Sequence, residues 1–270
     1  MMERLRQARK IAVVSGKGGV GKSNVALNLS VLLSAAGNRV ALVDADLGLA
    51  NLDVLLNVEA RFNLSHVLAG GRSLADVVVD LPCGVQFVPG ASGIAQLANL
   101  SEFQRQQLLG DLAALEGQND IIVVDCGAGI GRDTLHLAGS ADHVLVVTAP
   151  EPTAITDAYA VVKALTRQAY QGKISLLVNL VADRQEARDA YQRISGVARQ
   201  FLGAKVFDAG YVLTDPKVKE AVRRREPFVL AFPKCPASRC LAALANRLVE
   251  GGELVGQKGG FFKRVANWFA

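Results

Sequence analysis

Short runs of Val, Ile and Leu alternate with longer amphipathic stretches along almost the whole chain. The runs lack polar alternation, which is typical of strands in a parallel sheet that is buried on both faces. The stretches between them have helical periodicity, so the order strand, helix, strand repeats. The apolar runs are residues 11–14, 40–43, 85–88, 121–124, 144–147 and 174–178.

This alternation predicts an α/β chain with a single domain over residues 1–250, built on a mostly parallel twisted sheet with helices on both faces. Half of the residues are hydrophobic, which suits a substantial core. Two Gly–Gly pairs bracket residues 251–259, so this segment is predicted to be a flexible linker before a final helix at 260–270. The predicted helices of the domain include 24–36, 102–115, 153–169 and 187–201.

A glycine-rich segment follows the first apolar run and precedes a helix. It matches the pattern G-x-x-x-x-G-K-[ST], the phosphate-binding loop of P-loop NTPases. Its glycines allow consecutive N–H groups to turn toward phosphate oxygens, and the helix N-terminus adds partial positive charge. Lys22 is expected to reach the β- and γ-phosphates and Ser23 to bind Mg²⁺, so the predicted cofactors are ATP and Mg²⁺. The nucleotide-binding residues of the loop are Gly16, Lys17, Gly18, Gly19, Val20, Gly21, Lys22 and Ser23.

Carboxylates follow two of the predicted strands. Asp44 and Asp46 are two residues apart, so both point to one side at the carboxyl edge of the sheet, where α/β sheets bind ligands. Removing two carboxylates from bulk water at this edge costs free energy unless they bind a cation or a water. One of them could instead cap a helix. Asp125 ends an apolar strand, as the carboxylate of a Walker B motif does, and a carboxylate at that position faces Mg²⁺. Residues 126–130 after it are typical of a switch that responds to the γ-phosphate.

The segments Lys-Gly-Gly-Val-Gly-Lys-Ser and Asp-Ala-Asp-Leu-Gly-Leu-Ala-Asn-Leu-Asp resemble the deviant Walker A motif and switch I of the MinD/ParA family. The resemblance implies a magnesium-dependent ATP hydrolase that forms a homodimer when ATP is bound. It also implies that Lys17 reaches across the dimer to the partner's nucleotide. By the same resemblance, Asp46 positions the attacking water and Asp44 supports the magnesium shell, beside Ser23 and Asp125.

The resemblance also implies which residues hold the base of the bound nucleotide. Asn179 follows a late apolar run, as a base-binding Asn does in the family. Asp215 and Pro216 fall where the family has a second base-binding loop. An Asp before a Pro is also typical of an ordinary turn.

The end of the chain has its own amphipathic pattern. Its bulky apolar residues recur on one helical face, and Lys263 and Arg264 lie beside them. A helix of this kind can lie in a bilayer interface with its cations at anionic headgroups, although it could also pack on its own domain. The segment resembles the membrane-targeting helix that ends MinD proteins, which implies peripheral attachment to the inner membrane. The expected membrane contacts are Phe261, Phe262, Val265, Trp268 and Phe269.

Within the family, several segments resemble the FlhG group, also called FleN or YlxH, which sets flagellar number and placement. They are residues 46–56, 88–94, 125–130 and 215–228. The resemblance implies partners among anionic inner-membrane lipids, the GTPase FlhF and flagellar basal-body or regulator proteins. The N-terminal element by which FlhG proteins stimulate FlhF is matched only distantly, by residues 3–8. MinD, which positions the division septum, is the alternative within the family.

Other classes fit the sequence less well. A ParA-type DNA-segregation ATPase would use basic residues, and Lys217, Lys219 and residues 223–225 could supply them, but the hydrophobic tail argues against nucleic acid. An iron–sulfur carrier needs paired cysteines, and Cys83, Cys126, Cys235 and Cys240 show no such spacing. The chain begins without a signal-peptide pattern and has no long apolar run, so we expect a cytoplasmic protein.

Overall fold

The computed structural model describes residues 8–46, 51–69, 71–90, 110–111 and 113–250. Eight strands form one sheet. They are β1 (Arg9–Ser15), β2 (Val40–Ala45), β3 (Val79–Asp80), β4 (Val85–Val88), β5 (Ile121–Ala128), β6 (His143–Thr148), β7 (Lys173–Val181) and β8 (Val206–Leu213).

The strand order is β3-β4-β2-β5-β1-β6-β7-β8. Every neighbouring pair is parallel except β3 and β4, which are antiparallel. In the central strand β1, Val13 lies opposite Asp125 on one side and Leu145 on the other. The loop that follows β1 therefore leaves the middle of the sheet at its carboxyl edge, where α/β folds bind ligands.

Helices cover both faces of this sheet. Ile11 and Val13 of β1 belong to the core beneath α1 and α9, whereas Ala12 and Val14 belong to the core beneath α4, α5 and α6. The predicted single α/β domain with a mostly parallel sheet is confirmed. The helices are α1 (Lys22–Ala35), α2 (Leu52–Leu56), α3 (Leu64–Leu68), α4 (Arg132–Ser140), α5 (Pro152–Arg167), α6 (Arg184–Leu202), α7 (Pro216–Arg224), α8 (Phe228–Ala231) and α9 (Pro236–Glu250), with a 3₁₀ turn at Leu74–Asp76 and helical residues at 113–118.

The helix ends follow local chemistry. Helix α1 begins after Gly21, whose φ of 85° is in the left-handed region that favours glycine. Helix α6 begins after Asp183, whose carboxylate accepts from the N–H groups of Gln185 and Glu186, and it ends at Gly203. The predicted helices 24–36, 153–169 and 187–201 therefore correspond to α1, α5 and α6 with ends shifted by a few residues.

Some predictions fall on other parts of the chain. The predicted helix 102–115 lies largely outside the described residues, and so do the linker 251–259 and the helix 260–270 with its membrane-contact residues. The domain boundary at residue 250 stays a prediction. Among the helices that the structure describes, none has the length and apolarity needed to cross a bilayer.

Candidate functional site

The glycine-rich loop between β1 and α1 forms an open cradle. Gly19 and Gly21 both have positive φ, at 82° and 85°. A Cβ added at Gly18 or Gly19 would meet no heavy atom within 4 Å, so space lies over this part of the loop. At Gly16 an added Cβ would lie 2.2 Å from the Asp157 backbone, because the loop packs tightly against α5 there. The loop is therefore held at its base and open where phosphate oxygens would lie.

Lys22 points from the loop into a group of acidic residues. Its side chain is 7% exposed, and its Nζ donates to Asp125 Oδ1 at 2.7 Å. The same Nζ lies 3.3 Å from Ser23 Oγ and 4.0 Å from Asp46 Oδ2. The structure thus brings together four residues that the sequence assigned to phosphate, magnesium and water.

Asp44 and Asp125 are direct neighbours in the sheet, opposite each other on β2 and β5. Both are buried. Desolvation raises the pKa of Asp44 from 3.8 to about 6, although its oxygens accept from the N–H groups of Asp46 and Leu52 at 3.1 and 3.3 Å. Desolvation also raises the pKa of Asp125, against the lowering effect of Lys22. Ionised carboxylates are therefore disfavoured here unless more positive charge is supplied.

The donor set fits a divalent cation. The single positive charge of Lys22 faces three carboxylates, those of Asp44, Asp46 and Asp125, so the cluster carries an excess of negative charge. Within the described ranges, no three Asp, Glu, His or Cys side chains could hold a metal ion by themselves. Mg²⁺ would accordingly need phosphate oxygens and water beside the protein ligands, as it commonly does.

The loop after β5 lies against the same carboxylates. A Cβ added at Gly127 would lie 3.2 Å from Thr134 Oγ1 and 3.5 Å from Asp46 Oδ1, so the two predicted switches are adjacent. Cys126 is completely buried, and desolvation raises the pKa of its thiol to about 12. This thiol is therefore a packing group.

Lys17 has a different environment from Lys22. Its side chain is 42% exposed, and its Nζ donates to Glu151 Oε2 at 3.0 Å and to Thr153 Oγ1 at 3.2 Å. Sequence reasoning missed both acceptors, because they follow β6 far along the chain and match no motif. Lys17 thus lies at the surface of the cradle, held by groups of its own chain at the start of α5.

Asn179 braces the phosphate loop. Its side chain is buried, and its Nδ2 donates to the Val20 carbonyl at 2.8 Å. A Cβ on Gly21 would lie 2.4 Å from this Nδ2, so glycine is required here by the close approach as well as by φ. The expected contact of Asn179 with a base stays a prediction, and the structure adds a supporting contact that the sequence did not indicate.

Asp215 serves as a helix cap. Its Oδ1 accepts from the N–H of Lys217 at the start of α7, and its Oδ2 accepts from the N–H of Ala237 at the start of α9. These hydrogen bonds correspond to the turn that we considered as the alternative. The expected role of Asp215 in holding the base stays a prediction.

With this geometry established, the comparisons with known proteins identify the family. Residues 11–228 match the model of the CobQ/CobB/MinD/ParA nucleotide binding domain. The chain belongs to this family. It is 38% identical over 247 residues to the antiactivator FleN of Pseudomonas aeruginosa, an alignment that covers 92% of this chain and 88% of FleN.

Similarity to further proteins supports the same family. The chain is 36% identical over 265 residues to the flagellum site-determining protein YlxH of Helicobacter pylori, covering 96% of this chain and 90% of YlxH. The solved septum site-determining protein MinD of Pyrococcus horikoshii, a complex with Mg-ADP, has a TM-score of 0.74 and 28% identity, covering 92% of this chain and 99% of that one. The predicted resemblance to the MinD/ParA family and its FleN/YlxH members is confirmed, and the predicted cofactors ATP and Mg²⁺ agree with these findings.

Proposed function

We propose that the chain binds ATP with Mg²⁺ and hydrolyses it to ADP and phosphate. The observation that carries this proposal is the cluster of Lys22, Ser23, Asp46 and Asp125 beside the open loop. Lys22 would exchange its carboxylate partner for the β- and γ-phosphates. Ser23, Asp44 and Asp125 would hold Mg²⁺, directly or through water. When bound, the ion would neutralise charge on the phosphate oxygens.

The protein's own groups account for the hydrolytic step. Asp46 would orient a water in line with the γ-phosphorus, and the water oxygen would bond to phosphorus as the bond to the bridging oxygen breaks. One of the water's two protons would stay on the attacking oxygen, and the other would pass to another oxygen of the released phosphate. Lys22 and the N–H groups of the loop would stabilise the charge that develops. Asn179 would keep the loop in shape through its hydrogen bond to Val20.

We further propose that ATP closes two subunits into a dimer that attaches to the cytoplasmic face of the inner membrane and regulates flagellar number and placement. The FleN and YlxH relatives support the flagellar role. The exposed position of Lys17 beside the loop supports its transfer to a partner's nucleotide. Anionic lipids would be bound through residues 260–270. FlhF and flagellar basal-body or regulator proteins are the proposed protein partners.

A MinD-type role in septum positioning is the second candidate. It is favoured by the similarity to the solved MinD of P. horikoshii over nearly the full length of both chains. Loss of the gene would separate the two roles, because altered flagellar number supports the first and minicells support the second.

Sedimentation with anionic liposomes would test the nucleotide switch. Asp46→Ala should bind liposomes with ATP and not with ADP, because ATP would be retained in the dimer. The same protein ending at Gly259 should stay in the supernatant, and Lys22→Ala should fail to bind with either nucleotide. Binding that ignores the nucleotide would disprove the switch, and binding without residues 260–270 would disprove the role of the tail.

A further inference from the structure

A basic surface lies on α7, on the two segments that flank α8, and on the first turn of α9. It consists of seven exposed cationic side chains, while Glu220 and Glu226 are the acidic residues of residues 216–240. Such an excess of one sign attracts an anionic partner and speeds its encounter. The cations of this basic surface are Lys217, Lys219, Arg223, Arg224, Arg225, Lys234 and Arg239.

Part of the basic surface is already ordered. Glu220 forms ion pairs with both Lys217 and Arg224 on α7. The same two cations lie over the Phe232 ring, 4.7 and 5.1 Å from its centroid. These contacts hold two long side chains in place before any partner arrives, which lowers the entropy lost on binding.

The basic surface also has an apolar point. Leu230 on α8 is 53% exposed, although Phe228 and Val229 beside it are buried. A phosphodiester backbone offers nothing that packs on the isobutyl group of Leu230. An acidic polypeptide with apolar side chains complements both features of the surface.

Helix α9 begins at the basic surface and runs for 15 residues, about 22 Å, to Glu250. Near the far end of α9, the Leu248 carbonyl accepts from Arg9 at the start of β1, at the amino edge of the sheet. Helix α9 therefore ends far from the basic surface.

The basic surface also contacts the nucleotide-binding elements. The Arg225 Nη1 donates to Asn57 just after α2, and the Val229 N–H donates to Asn28 of α1. Helix α1 begins at Lys22 of the phosphate loop. A partner seated here would touch elements that lead directly to the proposed ATP site.

We propose that this basic surface binds an acidic amphipathic segment of a partner protein, with Leu230 packed against an apolar side chain of that segment. The binding is independent of whether the chain hydrolyses ATP. The segment would present Glu or Asp to α7 and the start of α9, and Leu or a similar residue to α8.

Fluorescence anisotropy of the full chain tests this. The probes are a short labelled peptide of Glu with Leu at helical spacing, the same peptide with Ser in place of Leu, and a short DNA duplex. Arg223→Glu and Lys234→Glu should each weaken binding of the Leu peptide about fivefold, from the loss of one ion contact and the added repulsion. Leu230→Ser should weaken it by a similar factor, about fivefold, and leave the Ser peptide unaffected.

Arg193→Glu is the matched control, because Arg193 is exposed on α6 on the opposite face and the change in net charge is identical. It should alter peptide affinity by less than about twofold. An equal loss with Arg193→Glu would show that net charge alone acts, which overturns the proposal. Tighter binding of the duplex than of the Leu peptide, indifferent to Leu230→Ser, would make the surface a nucleic-acid site. Absence of binding by all three probes would reduce it to a solvated basic face.

Discussion

Replacing Asp44 by Asn should stabilise the ligand-free protein at neutral pH. Burial raises the pKa of Asp44 from 3.8 to about 6, so the folded protein holds the proton more tightly than the unfolded chain. Below pH 3.8 the carboxyl is protonated in both states and carries no penalty. Between pH 3.8 and about 6 the unfolded chain ionises first, so stability falls as pH rises, and above about 6 the penalty is constant.

The magnitude follows from the same values. The difference between 3.8 and about 6, at about 1.36 kcal/mol for each pH unit, corresponds to about 3 kcal/mol above pH 6. Asn has one acceptor oxygen where the carboxylate has two, so one of the bonds to Asp46 and Leu52 is weakened, at about 1 kcal/mol. We therefore expect Asp44→Asn to be about 2 kcal/mol more stable than the wild type at pH 7.5. At pH 4 the ionisation penalty falls to about 0.5 kcal/mol, so the variant should be about 0.5 kcal/mol less stable than the wild type.

Urea unfolding followed by circular dichroism, in EDTA and without nucleotide, measures this difference across pH 4 to 8. Asp76→Asn is the control, because hydrogen bonds from Ser73 lower the pKa of Asp76 and its replacement should destabilise the protein at neutral pH. A stability difference for Asp44→Asn that stays flat with pH would refute the reasoning. A variant that is less stable than the wild type at pH 7.5 would refute it as well.

Three other predictions concern the loop, the exposed lysine and the buried thiol. Gly21→Ala should lower the free energy of unfolding, measured in urea, by about 2–4 kcal/mol, because φ is 85° and the new Cβ would displace Asn179. Gly18→Ala has open space around it and should change this free energy by less than about 0.5 kcal/mol, so equal effects of the two variants would contradict the geometry. Lys17→Ala should change the free energy of unfolding by less than about 0.5 kcal/mol, because its ion pair with Glu151 is at the surface. The same variant should lose ATP-dependent dimerisation in light scattering, and a dimer that persists would show that Lys17 is not part of the interface. Cys126 should be the last of the four cysteines to react with N-ethylmaleimide at pH 8, because it is fully buried and its pKa is raised to about 12. Labelling of Cys126 as early as that of Cys83, followed by mass spectrometry, would contradict this.

The central strands and the loop were predictable because their signals are local. Residues 121–124 and 144–147 are apolar without interruption, which is expected only where both faces of a strand are covered. The loop needs glycines at positions of positive φ, next to a lysine, and those residues are contiguous in the chain. Sequence reasoning could therefore place the loop at the end of the first strand, and the structure adds that this strand lies in the middle of the sheet.

Strand β8 was missed because its sequence does not resemble a buried strand. Only some of its residues are buried, and Asp208 and Gly210 interrupt it where the register with β7 shifts. The short antiparallel strand β3 was missed because two residues carry no periodicity. Tertiary pairing with β7 and β4, not local propensity, defines these two strands.

The contacts that shape the site join residues distant in sequence. Asn179 and Val20 are 159 positions apart, and Lys17 and Glu151 are 134 apart. Asp44 and Asp125 become neighbours only because β2 and β5 are adjacent in the sheet. The sequence therefore predicted which residues bear the chemistry but not which of them brace or neutralise one another.

The charge of the site connects stability with ligand binding. An ionised Asp44 beside Asp125 is disfavoured in the ligand-free protein. Burial also raises the pKa of Asp125, and the ammonium of Lys22, 2.7 Å away, partly offsets that rise. If Lys22 binds phosphate oxygens instead, Asp125 loses this partner. Phosphate binding alone would therefore increase the electrostatic cost of keeping the buried carboxylates ionised. A divalent cation that arrives with the phosphates would offset this cost and favour the ionised form of Asp44. Nucleotide and Mg²⁺ should accordingly bind cooperatively, and the cooperativity should be weaker in Asp44→Asn, whose side chain cannot ionise.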